Sequence, residues 1–274
     1  MSDYWIALVA GIVEGLTEFL PVSSTAHIVI TNKLLGVELE SPFWKMFTVV
    51  IQLGAILAVV VYFWKRLTEF LRSFLGSESR LRWRHPLALV VLSFIVTAIP
   101  CFLMDKFIAD RLESPVSIAW ALIVGGIAMV AIDRTYSKSA TTMRMEDMTL
   151  KQAVAIGAAQ ILAATFPGTS RSMATIAGGQ VMGLSRPAAL EFSFFLSIPV
   201  MFVAAGFKLI QFIAREPVRI EGDQWITLAI GFATSFFVAW GVIAWFMHWV
   251  KSRGFLPFAI YRIGAGICVL IWLT

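Results

Sequence analysis

Six long apolar blocks constrain this chain more than any other feature. They run approximately over Pro42–Trp64, Pro86–Met104, Val116–Ile132, Pro187–Ile213, Trp225–Trp249 and Phe255–Leu273. Each is close to the roughly 17–25 residues that a helix needs to cross a hydrocarbon core. Backbone polar groups have no water to bond in lipid, so such blocks cross as helices. The expected fold class is an all-α integral membrane protein with about six transmembrane helices. Composition agrees: only 14% of residues are charged, where a soluble domain has about a quarter.

The formal net charge of +5 does not read as a nucleic-acid footprint. The basic residues sit at the ends of the apolar blocks. Lys65, Arg66, Arg72, Arg80, Arg82 and Arg84 fill the first long loop, Arg134, Lys138, Arg144 and Lys151 the middle loop, and Lys251 and Arg253 the last short loop. A basic bias of this kind sets orientation, so these three loops are expected in the cytoplasm. The loops at Asp105–Ser114 and Arg215–Asp223 then face outside. Cys101 and Cys268 lie in apolar blocks and show no metal-ligand spacing. Asp3 near the start and the absence of a basic n-region argue against a cleaved signal peptide.

The chain also matches itself. At an offset of 146, Gly11 pairs with Gly157, Glu14 with Gln160, Pro21 with Pro167, Ser23 with Thr169 and Ser24 with Ser170. One membrane domain over 1–274 is expected, with repeat halves of approximately 1–136 and 149–274. Each half holds three spans and one Pro-broken polar segment. An odd number of crossings inverts the second half, which is the mark of an inverted-topology repeat. Helices are expected over Tyr4–Leu20 and onward to about Leu35, and over Thr149–Phe166 and Arg171–Leu184. Pro21 and Pro167 interrupt them, so each pair reads as a re-entrant helix-turn-helix. Irregular backbone at membrane depth is tolerated only where protein or a water-filled cavity surrounds it.

Chemistry concentrates at these two breaks. Each begins a helix, whose free N–H groups and positive dipole end suit a phosphate. Arg171 stands at the second start and can hold phosphate oxygens as a fork. Ser23, Thr25, Thr169, Ser170 and Ser172 offer further donors. Glu14 and Glu18 are spaced i, i+4 and share a helix face. Beside an anionic substrate they call for a hard divalent cation, Mg²⁺ or Ca²⁺, as the expected cofactor. Ser24 and His27 lie one turn apart, so His27 can act as base for Ser24 or as nucleophile itself. Glu191 is a candidate partner for Arg171. Arg262, inside the last block, is either a phosphate contact or a helix–helix pair.

At these residues the sequence closely resembles the bacterial undecaprenyl-pyrophosphate phosphatases, the bacitracin-resistance phosphatase family. The matching stretches are Glu14–His27, Pro167–Ile176, Gly183–Arg186, Glu191–Phe194 and Pro257–Arg262. The resemblance implies a membrane hydrolase that converts undecaprenyl diphosphate to undecaprenyl phosphate and inorganic phosphate, recycling the carrier for envelope polymers. It implies catalytic roles for Glu18, Ser24, His27 and Arg171, metal binding by Glu14 and Glu18, and a site open to the periplasmic side of the inner membrane. The expected partners are a polyprenyl diphosphate lipid and membrane lipids, with a homodimer left open. Ala26 and Met173 stand where the family commonly has Gly. A lipid-phosphate transporter is the main rival, because midplane helix breaks serve transport too. An intramembrane serine protease is a weaker rival, having no part for Glu14 or Arg171.

Overall fold

The computed structural model describes residues 2–37, 41–76, 82–109, 114–215 and 220–273. Arg80 and parts of the two loops expected outside fall beyond these. Among the described residues the chain is helical: α1 Asp3–Thr17, α2 Ser24–Leu34, α3 Pro42–Tyr62, α4 Trp64–Gly76, α5 Pro86–Ala109, α6 Pro115–Tyr136, α7 Leu150–Thr165, α8 Arg171–Val181, α9 Arg186–Arg215, α10 Gly222–Ser252 and α11 Leu256–Leu273. The protein is an all-α, multi-pass membrane protein. Five of the six expected spans are helices long and apolar enough to cross, within α3, α5, α6, α9 and α10. The sixth, α11, is apolar but shorter. Large apolar side chains such as Phe102, Leu103, Ile271 and Trp272 are widely exposed, as a lipid-facing surface requires.

The broken segments are short. Helices α1 and α2 have 15 and 11 residues, and α7 and α8 have 16 and 11. At a rise of about 1.5 Å per residue none reaches the ~30 Å of a hydrocarbon core. Helix α1 stops at Thr17, with Glu18 as its C-cap, three residues before the expected end at Leu20. One element of the first basic loop was not foreseen: α4, whose Phe70 is buried while Trp64, Leu71 and Leu75 are exposed.

The chain forms two compact units. The first comprises Met1–Phe19, Ser24–Phe63 and Ser197–Trp245. Ala7, Ala10, Phe43, Phe47, Ile51 and Leu228 make its core. Helix α1 lies so close to α10 that a Cβ on Gly11 would stand 2.8 Å from the Gly231 carbonyl oxygen. Small residues are what allow backbones to approach this closely in membrane helices.

The second unit comprises Leu20–Ser23, Trp64–Leu196 and Phe246–Thr274. Here α7 packs on α5 by the same device. A Cβ on Gly157 would stand 2.5 Å from the Ser93 carbonyl oxygen. The hydroxyls of Ser93 and Thr97 donate to the Ala153 and Gly157 carbonyls at 2.6 and 2.8 Å. Gly11 and Gly157 thus do the same work, each within its own unit. Asp133 accepts two bonds from the Arg186 guanidinium at 2.7 and 2.8 Å, and a third from Gln180 at 3.0 Å. The Gly183–Arg186 stretch is therefore held to α6 by a partly buried ion pair.

Candidate active site

In the first unit the acidic motif closes α1. Glu14 is fully buried and Glu18 is nearly so. The Ser24 hydroxyl, on the first residue of α2, donates to Glu18 Oε2 at 2.5 Å. A carboxylate that accepts from a serine hydroxyl is placed to take its proton. His27 is half-buried one helical turn beyond Ser24, and Thr25 is exposed. Sequence spacing offered His27 as base for Ser24 or as nucleophile itself; in the structure the Ser24 hydroxyl donates to Glu18.

In the second unit the two breaks meet. Ser23 and Ser170 are the only non-glycine residues with positive φ among the described residues, at 74° and 73°. Each immediately precedes a helix start, Ser24 and Arg171. A side chain in this region costs on the order of 1–3 kcal/mol, and such strain clusters at functional sites. By backbone angle Ser23 resembles Ser170, where the offset of 146 pairs it with Thr169, because the second break carries one more residue between its proline and the residue before its helix.

The second break is held by its own hydroxyls. Ser170 Oγ accepts from the Met173 amide at 3.3 Å and lies 3.0 Å from Ser172 Oγ. Ser172 is fully buried, and its hydroxyl donates to the Leu20 carbonyl at 2.9 Å. Ser170 and Ser172 were expected as phosphate donors; in the structure their hydroxyls bond the Met173 amide, each other and the Leu20 carbonyl. Thr169 is half-buried and Ser23 buried. Arg171 Nη1 donates to the Ser193 carbonyl at 3.3 Å. The Ser193 hydroxyl meets Thr175 Oγ1 at 2.7 Å. Glu191, the candidate partner of Arg171, pairs with Arg66 at 3.0 Å. Thr175 and Ser193 were not singled out in the sequence, where a hydroxyl in an apolar helix carries no distinguishing signal.

Comparison with known proteins decides the family. A model of the family "Bacitracin resistance protein BacA" matches residues 7–268. The chain belongs to this family. Relatives named undecaprenyl-diphosphatase include a Koribacter versatilis protein, 50% identical with 99% of each chain covered. One from Novosphingobium aromaticivorans is 43% identical, covering 100% of this chain and 99% of its own. One from Deinococcus radiodurans is 38% identical, covering 98% and 95%. Against the BacA family pattern, both departures sit in packed positions. Ala26 is fully buried and Met173 is 7% exposed. Met173 lines a small apolar cavity with Pro21, Met129, Ile176 and Phe255.

The donor set suits a hard divalent cation. Glu14 and Glu18 supply carboxylate oxygens from one helix face, with Ser24 Oγ bonded to the second. Among the described residues no group of three or more His, Cys, Asp or Glu gathers. A site with two carboxylates, completed by phosphate oxygens and water, is the pattern Mg²⁺ favours.

Proposed function

We infer that this chain hydrolyses undecaprenyl diphosphate to undecaprenyl phosphate and inorganic phosphate, returning the lipid carrier to cell-wall synthesis. The observation that carries the chemistry is the Ser24–Glu18 hydrogen bond. Ser24 Oγ attacks the terminal phosphorus while Glu18 takes the hydroxyl proton. The new Oγ–P bond forms as the bridging P–O bond breaks, and undecaprenyl phosphate leaves with the electron pair. Water then attacks the phosphoserine phosphorus, its proton passing to His27; the Oγ–P bond breaks, Glu18 returns its proton to Ser24 Oγ, and inorganic phosphate departs. Arg171 is assigned the phosphate oxygens on chemical grounds, since a guanidinium fork matches them and an ammonium does not. Glu14 and Glu18 would hold Mg²⁺ or Ca²⁺, which when bound neutralises phosphate charge.

The test uses purified protein in detergent. A hydrolase releases phosphate from the lipid diphosphate with no gradient present; a lipid-phosphate transporter releases none. Trapped phosphoenzyme identifies the nucleophile. An acid-stable, base-labile adduct on Ser24 supports the scheme, and an acid-labile adduct on His27 moves the attack there.

The proposed compartment is the bacterial inner membrane, with the site open to the periplasm, where the diphosphate is released after glycan transfer. The basic bias of the loops supports this. Cysteines at Ser139 and Ser252 should resist an impermeant label added to intact spheroplasts. Labelling of either would reverse the orientation.

A further inference from the structure

Arg262 is the largest fully buried side chain among the described residues. Its guanidinium has five N–H donors in a fixed plane. Four bonds leave it, and every one ends on a backbone carbonyl. Nη1 donates to Pro21 at 3.0 Å, in the first break. Nη2 donates to Gly168 at 3.1 Å, in the second break. Nη2 also reaches Ala121 at 3.2 Å, and Nε reaches Leu122 at 3.4 Å, both in α6. All these residues belong to the second unit.

The surroundings are shaped around this group. A Cβ on Gly125 would run into the guanidinium. Gly168, at φ +96°, lies against α6 so closely that a Cβ there would stand 2.7 Å from the Ile118 carbonyl oxygen. Burying an ion costs several kcal/mol unless its donors are satisfied and its charge is offset. Helix–helix packing alone would be served by an apolar residue at far lower cost. A buried arginine whose bonds reach two separated loops does something an apolar residue cannot: it fixes them relative to each other.

We propose that Arg262 is a positioning residue that fastens the two breaks to each other and to α6, and thereby sets the geometry of both helix starts. It does not contact phosphate, because none of its surface is exposed. It acts through Pro21, two residues before Ser23, and through Gly168, three residues before Arg171. Lysine keeps the charge but offers donors from one point, so it cannot span the same carbonyls.

The experiment compares full-length wild type, Arg262→Lys and Arg262→Gln in one detergent. Its activity arm rests on the phosphatase reading above; its distance arm does not. For the distance arm, Cys101 and Cys268 are replaced by serine, and spin labels are placed at Leu20→Cys and Thr169→Cys. We expect a narrow distance distribution with Arg262 in place, broad in Arg262→Gln and intermediate in Arg262→Lys. For the activity arm, turnover per folded molecule should fall about 10²-fold in Arg262→Gln, the effect of a misplacement near 1 Å, with partial recovery in Arg262→Lys. An unchanged distribution in both variants overturns the proposal, as does a lowered melting point with full turnover per folded molecule. Should Arg262→Gln fail to fold, Arg262→Lys alone decides by the same two readouts. If wild type itself releases no phosphate, the phosphatase reading fails and the spin labels still decide the clamp.

Discussion

Replacing Ser170 by Gly and by Ala separates the strain in the second break from its hydroxyl bonds. At φ 73° and ψ 119°, Ser170 carries strain on the order of 1–3 kcal/mol that glycine would relieve. Glycine also loosens the unfolded chain by about 0.4–1 kcal/mol, and as an N-cap it is worse than serine by only a few tenths. Both variants lose the contact to Ser172, at about 0.5–1.5 kcal/mol each, so it cancels in their comparison. Without it the glycine balance runs from about zero to about 2 kcal/mol of stabilisation. Alanine keeps the strain and loses the cap to Met173 at about 1 kcal/mol. The two variants should therefore differ by roughly 1–3 kcal/mol. At about 2–4 °C per kcal/mol for a chain of this size, that is a gap of roughly 2–12 °C. Thermal unfolding in detergent, followed by tryptophan fluorescence, reads it directly. Turnover should fall in both, because the strained backbone aims the start of α8. Equal melting points for Gly and Ala would refute the reasoning, since the hydroxyl would then carry the whole effect.

Three further outcomes follow from the geometry. Ser24→Ala should lower turnover by about 10³-fold or more, and adding Glu18→Gln should cost little beyond it, because the two act as one unit; multiplicative losses in a double-mutant cycle would separate them. Chelator should abolish phosphate release, with recovery on adding Mg²⁺ or Ca²⁺; full activity in excess chelator would leave Glu14 and Glu18 as proton carriers. Burial pulls the Glu146 carboxyl up, but its own amide, Arg144 and Arg66 outweigh that and hold it below the ordinary range. Its stabilising effect is therefore present above the ordinary carboxylate range and is lost as pH falls through the lowered value; Glu146→Gln should flatten the acid limb of the melting-point profile, and an unchanged limb would dismiss the linkage.

The spans were legible in the sequence because lipid permits few solutions: long apolar blocks bounded by Arg and Lys leave helices as the only choice. The breaks were legible for a related reason, since Pro21 and Pro167 sit where carboxylates and hydroxyls interrupt apolar runs. Partners were harder to read. His27 was offered from i+3 spacing as base for Ser24 or as nucleophile, while the Ser24 hydroxyl donates to Glu18, the residue that caps the C-terminus of α1. Glu191 went to Arg66, which lies on α4, an amphipathic helix hidden within a loop rich in basic residues. The one-residue slip between Ser23 and Ser170 was invisible to alignment by identity, because Thr169 and Ser170 are both plausible matches. Only the backbone angle distinguishes them.

The match of the chain to itself is imperfect, and its exceptions are informative. Where the first copy has Glu14, the second has Gln160, whose amide donates to Thr97 inside the protein at 3.0 Å. Where the first has Glu18, the offset of 146 falls on Ala164. Where α2 begins with Ser24, α8 begins with Arg171. A symmetric pair of acidic breaks would set four carboxylates against a diphosphate and repel it. A symmetric pair of basic breaks would bind the anion and offer no nucleophile. The two breaks instead supply two strained helix starts, one beside serine and acids, the other beside the cation. Arg262 ties the breaks together through the Pro21 and Gly168 carbonyls, and so the clamp acts on both without regard to the side chains by which they differ.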